Sequence, residues 1–253
     1  MTSDEATREQ IAIVTGAGGG MGKSISRVLH AHGMKVLLTD INEAGIRDMA
    51  EELCPQGETA WALTQDASQK SEAEQVLAQC KERWGAPTVL VNNAAVTQAA
   101  DPLSISQEEF DRVVRINTDA VFFGCQVIGQ AMAEAGYGRI VNMGSLAGLN
   151  GGTATGVHYA ASKGAIGTIT KIFAKQYAAQ GVTVNQIVPG PHDLPIVYKT
   201  VPEDKLEGVI SSIPVGRLGS PEFIGQTIAL LASEDAYFVT GASWDINGGL
   251  YVR

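Results

Sequence analysis

Tyr159 and Lys163 stand four residues apart in GVHYAASKGAIG (156–167), among alanines and glycines. On a helix this spacing stacks the two side chains on one face, and the small neighbours leave room beside them for something large. A phenol has an ordinary pKa of about 10, too high for a base near neutrality. An ammonium held close favours the phenolate and draws that value down. The pair therefore reads as a proton carrier tuned by a neighbouring charge, a role that contributes about 10²–10⁴-fold in rate where it operates. Taken singly, each has a plainer reading: interfacial packing for the tyrosine, a solvated helix surface for the lysine.

A second chemical stretch is TGAGGGMGKS (15–24), which follows an apolar run and leads into a helical pattern. Backbone N–H groups at such a junction can receive a phosphate, and side chains would block the approach, hence Gly16, Gly18, Gly19, Gly20 and Gly22. Two phosphate readings compete. AGGGMGKS (17–24) approaches the pattern G-x-x-x-x-G-K-S/T of nucleoside-triphosphate hydrolases, with Ala17 in place of the first glycine and VLLTD (36–40) available to supply a magnesium-binding aspartate. In dinucleotide binding, an acid about 20 residues past the glycines accepts hydrogen bonds from a ribose, and Asp40 holds that position. Only the second reading gives a purpose to the tyrosine–lysine pair and to the polar NNAA at 92–95. Lys23 and Ser24 are then ordinary first-turn helix residues.

These groups need a scaffold, and the periodicity supplies one. Apolar, β-branched runs predict strands at 11–15, 35–40, 59–63, 88–93, 139–145, 182–190 and 242–247. Helical patterns lie between them near 20–32, 43–53, 69–84, 106–134, 158–179 and 221–232, with Ser106 and Glu109 forming a capping-box pair. Strands that are apolar on both faces and alternate with helices indicate an α/β, doubly wound parallel sheet. No repeat or polar linker divides the chain, so residues 1–253 are expected to form one domain. The stretch 190–220 falls outside the alternation and is expected to be a lid or specificity loop.

Composition narrows the functional class. The formal charge of −9 argues against nucleic acid or an anionic membrane as partner. No apolar run is long enough to span a bilayer, and MTSDEATREQ reads as neither signal nor transit peptide. Cys54, Cys80 and Cys125 lack metal-ligand spacing and read as reduced thiols, so no metal site and a cytoplasmic location are expected.

Taken together, the motifs resemble the short-chain dehydrogenase/reductase family over almost the whole chain. The family's TGxxxGxG is present as Thr15, Gly16, Gly20 and Gly22, and its NNAG as Asn92, Asn93, Ala94 and Ala95. Its catalytic tetrad matches Asn117, Ser145, Tyr159 and Lys163; its strand-six Pro-Gly is Pro189–Gly190, and its C-terminal TG…DGG is TGASWDINGG, with Asn247 in the aspartate's place. The resemblance implies a Rossmann fold with a seven-stranded parallel sheet, a nicotinamide coenzyme across its C-terminal edge, and a homo-oligomer, with a tetramer favoured. It implies that Ser145 hydrogen-bonds the substrate oxygen, that Asn117 holds a water on a proton route to the lysine, and that substrates are secondary alcohols or ketones.

The coenzyme set under this reading is Gly16, Gly19, Gly20, Met21, Gly22, Asp40, Ile41, Asp66, Ala67, Asn93, Ala94, Tyr159, Lys163, Pro189 and Gly190, with Asp66 at the adenine and Asn92 beside Ala94 on the adenosine side. Asp40 would repel a 2′-phosphate and no arginine stands near it, so NAD is expected. Two departures from the family pattern stand out: thirteen residues separate Ser145 from Tyr159, and Leu194 occupies the place of a threonine that holds the nicotinamide carboxamide. Ser145, Leu146, His192, Leu194 and Tyr198, with Val96, Ile196 and Val197, suggest a mainly apolar pocket. His158 and His192 read as loop or cap residues, with His192 near that pocket. The expected reaction is hydride transfer between NAD(H) and an apolar secondary alcohol or ketone. A 3-oxoacyl thioester reductase, a catalytically silent NAD(H)-binding regulator and a nucleoside-triphosphate hydrolase are the alternatives.

Overall fold

A computed structural model describes residues 8–152, 155–201 and 203–253. Most of the N-terminal stretch read as neither signal nor transit peptide lies outside the described residues, as do Thr153 and Ala154 in the glycine-rich link between Ser145 and Tyr159.

Seven strands, β1 (Ile11–Thr15), β2 (Lys35–Asp40), β3 (Ala60–Thr64), β4 (Val89–Asn92), β5 (Gly138–Met143), β6 (Val182–Pro189) and β7 (Ser243–Ile246), form one sheet in the order 3-2-1-4-5-6-7. Every neighbouring pair is parallel. The helices are α1 (Gly20–Ala31), α2 (Glu43–Leu53), α3 (Lys70–Arg83), α4 (Gln107–Phe123), α5 (Gly129–Glu134), α6 (Ala147–Asn150), α7 (Val157–Tyr177), α8 (Pro195–Thr200), α9 (Glu203–Ser212) and α10 (Pro221–Ala232). This is the doubly wound Rossmann-type arrangement, and strand and long-helix boundaries fall within two residues of those read from the periodicity.

The strands are apolar throughout because both faces are covered. Ala12, Val14, Val36, Leu38, Val89 and Val91 point into a core closed by Ile25 and Leu29 of α1, Ile46 and Met49 of α2, and Ile224 and Ile228 of α10. Ile11, Ile13, Leu37 and Leu90 point the other way, against Val76 of α3, Val121 of α4 and Ile166 and Ala174 of α7.

One expectation is corrected by the structure. The single helix expected over 106–134 is interrupted by a π turn at Gly124–Ile128. A Cβ on Gly124 would fall within 2.2 Å of the Asn92 side-chain oxygen, so the helix widens where it passes a buried side chain of the sheet, a tertiary cause invisible to helical periodicity. The segment 190–220, which lies outside the sheet, carries α8 and α9. Its ends are stitched together by Asp193 N–H to Gly219 O (2.8 Å) and Gly219 N–H to Pro191 O (3.0 Å), so the two helices form an excursion on a closed base.

Candidate active site

Strand order reverses between β1 and β4, and the loops leaving their carboxyl ends part to leave a crevice there, where open α/β sheets bind ligands. A cavity of about 420 Å³ occupies it, lined by Gly16, Gly19, Gly20 and Met21 after β1, Thr39 and Asp40 at the end of β2 with Ile41 beyond, Gln65–Ser68 after β3, Asn93–Val96 after β4, and Ile116 and Ala120 of α4.

The glycines divide the work. Gly16 (φ +67°) needs left-handed backbone, and a Cβ there would strike Ala94 Cα at 2.8 Å. Gly22 does not line the cavity, because its Cα faces the carbonyl of Gly16, which a Cβ would hit; it lets α1 pack on its own loop. Gly19 is open, with nothing within 4 Å of a Cβ. Unlike α2, α4 and α10, which start on the side-chain caps Asn42, Ser106 and Ser220, α1 starts at Gly19 with no side chain on its first N–H groups. An uncapped helix start facing a cavity is an anion site, and it fits a pyrophosphate.

Side chains lock these loops together. The Thr15 hydroxyl accepts the Asn93 and Ala94 N–H groups, both at 3.0 Å, and donates to Val91 O. The Asn93 amide donates to Thr15 O (3.0 Å) and Gly16 O (3.1 Å). Asp40 accepts the Gly18 N–H (2.9 Å) and the Asn42 N–H (2.9 Å), which turns its carboxylate toward the glycine loop. Asp66 accepts from the Ser68 N–H and hydroxyl; burial works to raise its pKa, but those bonds and Gln69 outweigh it and keep the carboxylate below its ordinary range. Ile41 stands at the rim, 72% exposed. The cavity lining contains no lysine or arginine. This donor set fits a dinucleotide coenzyme.

One member of NNAA behaves otherwise. Asn92 does not border the adenosine side: it is buried behind β4, donating to Asn142 (2.8 Å) and Cys125, its oxygen without a partner among the described residues. Strand alternation turns it away from the crevice.

The tetrad residues gather beyond β4. Lys163 is 4% exposed, and its Nζ donates to Met143 O (2.8 Å) at the end of β5, 5.8 Å from the centre of the Tyr159 ring. Burial pushes its amine down to about 8. Burial also raises the Tyr159 phenol, opposed by a hydrogen bond with Ser145, so the lysine's expected lowering is not the leading influence on the phenol here. The Ser145 hydroxyl also accepts the Ala147 N–H (3.2 Å), which aims it from the first turn of the link toward α7. Asn117 is fully buried and bonded through both ends of its amide: it accepts the Val96 N–H (2.8 Å) and donates to Val96 O (3.0 Å) and to Ser162 (2.9 Å). Ser162 in turn donates to Tyr159 O (2.7 Å). Ser162 carries no motif of its own, and only its place three residues beyond the tyrosine marks it.

Pro189 and Gly190 end β6, where Pro189 O receives the Leu146 N–H (2.9 Å) and a Cβ on Gly190 would meet Asn247 Cα at 2.8 Å. Neither His192 nor Tyr198 lines the crevice. His192 is 3% exposed, donates through Nδ1 to Gly190 O (2.8 Å), and borders a separate cavity of about 630 Å³ with Ile213, Arg217 and Asn247. Tyr198 is 52% exposed and donates to Asp193 (2.9 Å), because α8 turns it to the surface. Leu194 is half-buried at the start of α8, and Leu146 half-buried before α6. Lys23 and Ser24 stay out of the crevice, and Ser24 donates to Glu222 (3.4 Å). Among the described residues, no helix is long and apolar enough to cross a membrane, and no group of His, Cys, Asp and Glu could hold a metal.

Residues 16–251 match the family profile described as enoyl-(acyl carrier protein) reductase. The chain is 32% identical to the 3-oxoacyl-(acyl-carrier-protein) reductase FabG of Escherichia coli, covering 96% of this chain and 98% of that one. It is 33% identical to the mouse (3R)-3-hydroxyacyl-CoA dehydrogenase over the full length of both. A crystal structure of a short-chain dehydrogenase/reductase from Brucella melitensis, titled glucose/ribitol dehydrogenase, superposes with a TM-score of 0.88 at 31% identity, covering 96% of this chain and 97% of that one.

Proposed function

This chain belongs to the short-chain dehydrogenase/reductase family and shares its oxidoreductase chemistry, and from that premise we propose that it interconverts a 3-oxoacyl thioester and the corresponding 3-hydroxyacyl thioester with NAD(H). The observation that carries the proposal is the Ser145–Tyr159–Lys163 cluster beside a dinucleotide crevice, in a chain whose full-length relatives are named for this pair of substrates.

A bound nicotinamide coenzyme supplies or accepts the hydride. Tyr159 gives its proton to the substrate oxygen in reduction and takes one back in oxidation. Ser145 donates a hydrogen bond to that oxygen and stabilises its developing charge. Lys163, fixed by Met143 O, supports the phenolate once Tyr159 has given up its proton. Asn117 on α4 holds the Ser162 hydroxyl, which in turn bonds the tyrosine's carbonyl within α7. Gly16, Gly19, Gly20 and Met21 hold the pyrophosphate, with Gly22 supporting them; Asp40 takes the ribose hydroxyls, Ile41, Asp66 and Ala67 the adenine, and Asn93, Ala94, Pro189 and Gly190 the remainder. NAD rather than NADP is favoured by Asp40 and by a cavity lining without cations.

The relatives favour the thioester over the simple apolar ketone expected from the loop. The ketone persists as a second reading on one observation: the lid offers exposed Ile196 and Val215, and along its sequence the cations Lys199, Lys205 and Arg217 are outnumbered by the acids Asp193, Glu203, Asp204 and Glu207, leaving little to attract a phosphate-bearing carrier. Exposed Phe122 and Ile172 on α4 and α7, and Phe223 and Leu230 on α10, support a homo-oligomer, and three free cysteines a cytoplasmic home.

Coenzyme oxidation with acetoacetyl-CoA, its N-acetylcysteamine analogue and cyclohexanone tests the reading. Turnover of the two thioesters with NADH, well above that with NADPH, is expected. Turnover of cyclohexanone alone would move the assignment to simple ketones, and tight NADH binding without turnover of anything to a silent regulator.

A further inference from the structure

Tyr159 is held at both ends of its own residue, and both holds lead to α4. Its carbonyl takes the Ser162 hydroxyl, which is tied to Asn117. Its N–H lies 2.9 Å from Nδ1 of His158, while also reaching Gly156 O at 3.1 Å. A nitrogen that accepts an N–H carries no proton, so the imidazole proton sits on Nε2, 3.2 Å from the Glu109 carboxylate, to which it donates. Glu109 and Asn117 lie about two turns apart on the same helix.

The surroundings are built for this ring. His158 is fully buried. The cap residue of α7 is Gly156, which offers no side chain to the first N–H groups of the helix, and those groups need acceptors. Its backbone (φ −71°, ψ 158°) does not require glycine, but a Cβ there would fall within 2.3 Å of Cε1 and 2.7 Å of Nδ1 of His158. The glycine is required for space, since the imidazole fills the place its side chain would take. On the far side, the Glu109 N–H is fixed by Ser106 (3.2 Å), so the carboxylate stands on a capped helix start.

We infer that His158, anchored by Glu109, is a positioning residue that sets the start of α7 and thereby the placement of the Tyr159 phenol between Ser145 and Lys163. The inference rests on the reading of Tyr159 as proton carrier, but its first test needs no substrate.

His158→Phe keeps a ring and removes both bonds. His158→Asn places an amide oxygen where Nδ1 lies and keeps the acceptor. His158→Gln reaches Glu109 and keeps only the donor. Amide exchange at Tyr159, followed by NMR on tyrosine-labelled protein, is expected to speed up at least about tenfold in the Phe and Gln variants and to return toward wild type in the Asn variant. With a substrate in hand, kcat is expected to fall about 10–100-fold in the Phe and Gln variants, with partial recovery in the Asn variant and the Kd for NADH changed by less than about threefold, because the misplacement is local to the tyrosine. Should the Phe variant not fold, Asn against Gln carries the same contrast. Unchanged exchange in the Gln variant, or an Asn variant no better than Gln, overturns the inference. A substrate panel without turnover would sink the thioester reading, and the exchange experiment would still decide this one.

Discussion

The loops after β1, β2 and β4 are tied together by side chains bonded to backbone and the loop after β3 is braced by Asp66, whereas the segment after β6 is held at its base and through the Val215 N–H to Gly248 O (3.2 Å). On the first side, Thr15, Asn93, Asp40 and Asp66 each serve two or more groups, so the protein's own bonds brace the crevice. On the second, α9 buries none of its residues, and Ile196, Tyr198 and Val215 remain exposed. The contrast separates two tasks. Under the proposed function, the coenzyme would meet the braced side, and the substrate would meet a part of the chain with few buried contacts, where reorganisation costs little.

Substitutions on either side test this contrast. Tyr159→Phe sits at the boundary and should have the largest effect, lowering kcat about 10²–10⁴-fold while leaving the Kd for NADH nearly intact; loss of NADH binding in titration would mean that the two halves are not separable. Asn93→Ala should act on the braced side alone, removing two donors from the glycine loop and weakening NADH binding about tenfold or more, with a stability loss of about 1–3 kcal/mol in urea unfolding. Asp40→Ala should narrow the preference for NADH over NADPH about tenfold, read as the ratio of kcat/KM values, since it removes like-charge repulsion but also frees the Gly18 N–H. Tyr198→Phe should have the smallest effect, moving KM by less than about threefold, because the hydroxyl reaches only Asp193 on the surface.

The buried pair gives a further expectation in pH. With the phenol raised by burial, Tyr159 is protonated near neutrality, ready to act as acid. Reduction should therefore be flat there and fall in alkali, while oxidation, which needs the phenolate, should climb as pH rises; stopped-flow hydride transfer in both directions would check it. Lys163 is charged in the unfolded chain up to its ordinary 10.5 but only to about 8 when buried. The unfolded state thus binds more protons between those values, so stability should rise with pH across that window, and the burial penalty is fully present below it. Lys163→Met should accordingly raise Tm at neutral pH even as it removes activity.

Legibility in the sequence followed the same division. β1, β2, α2 and α10 were readable to the residue, because strands covered on both faces are apolar throughout and the helices carry side-chain or proline starts. The places of the glycine loop after β1 and of Asp40 at the end of β2 were readable from the strand pattern, and Asp40 turns to the loop through the Gly18 N–H. Asn92 was misplaced because adjacent strand residues face opposite sides, and the motif's shared polarity hid the alternation. Tyr198 and His192 were grouped with the pocket by chain proximity, whereas α8 turns one outward and the stitched base buries the other. The π turn and Ser162 depend on partners far along the chain, which local pattern does not contain.

Gly156 has a consequence for descent. Its vacancy is filled by the ring two positions on, so the two sites are not free to change separately. An alanine or serine at the first would evict the imidazole from the second, and a lineage that gains one must lose the other. Aligned descendants of this chain should therefore show the glycine and the histidine inherited as a couple, with Glu109 drifting once that couple is broken.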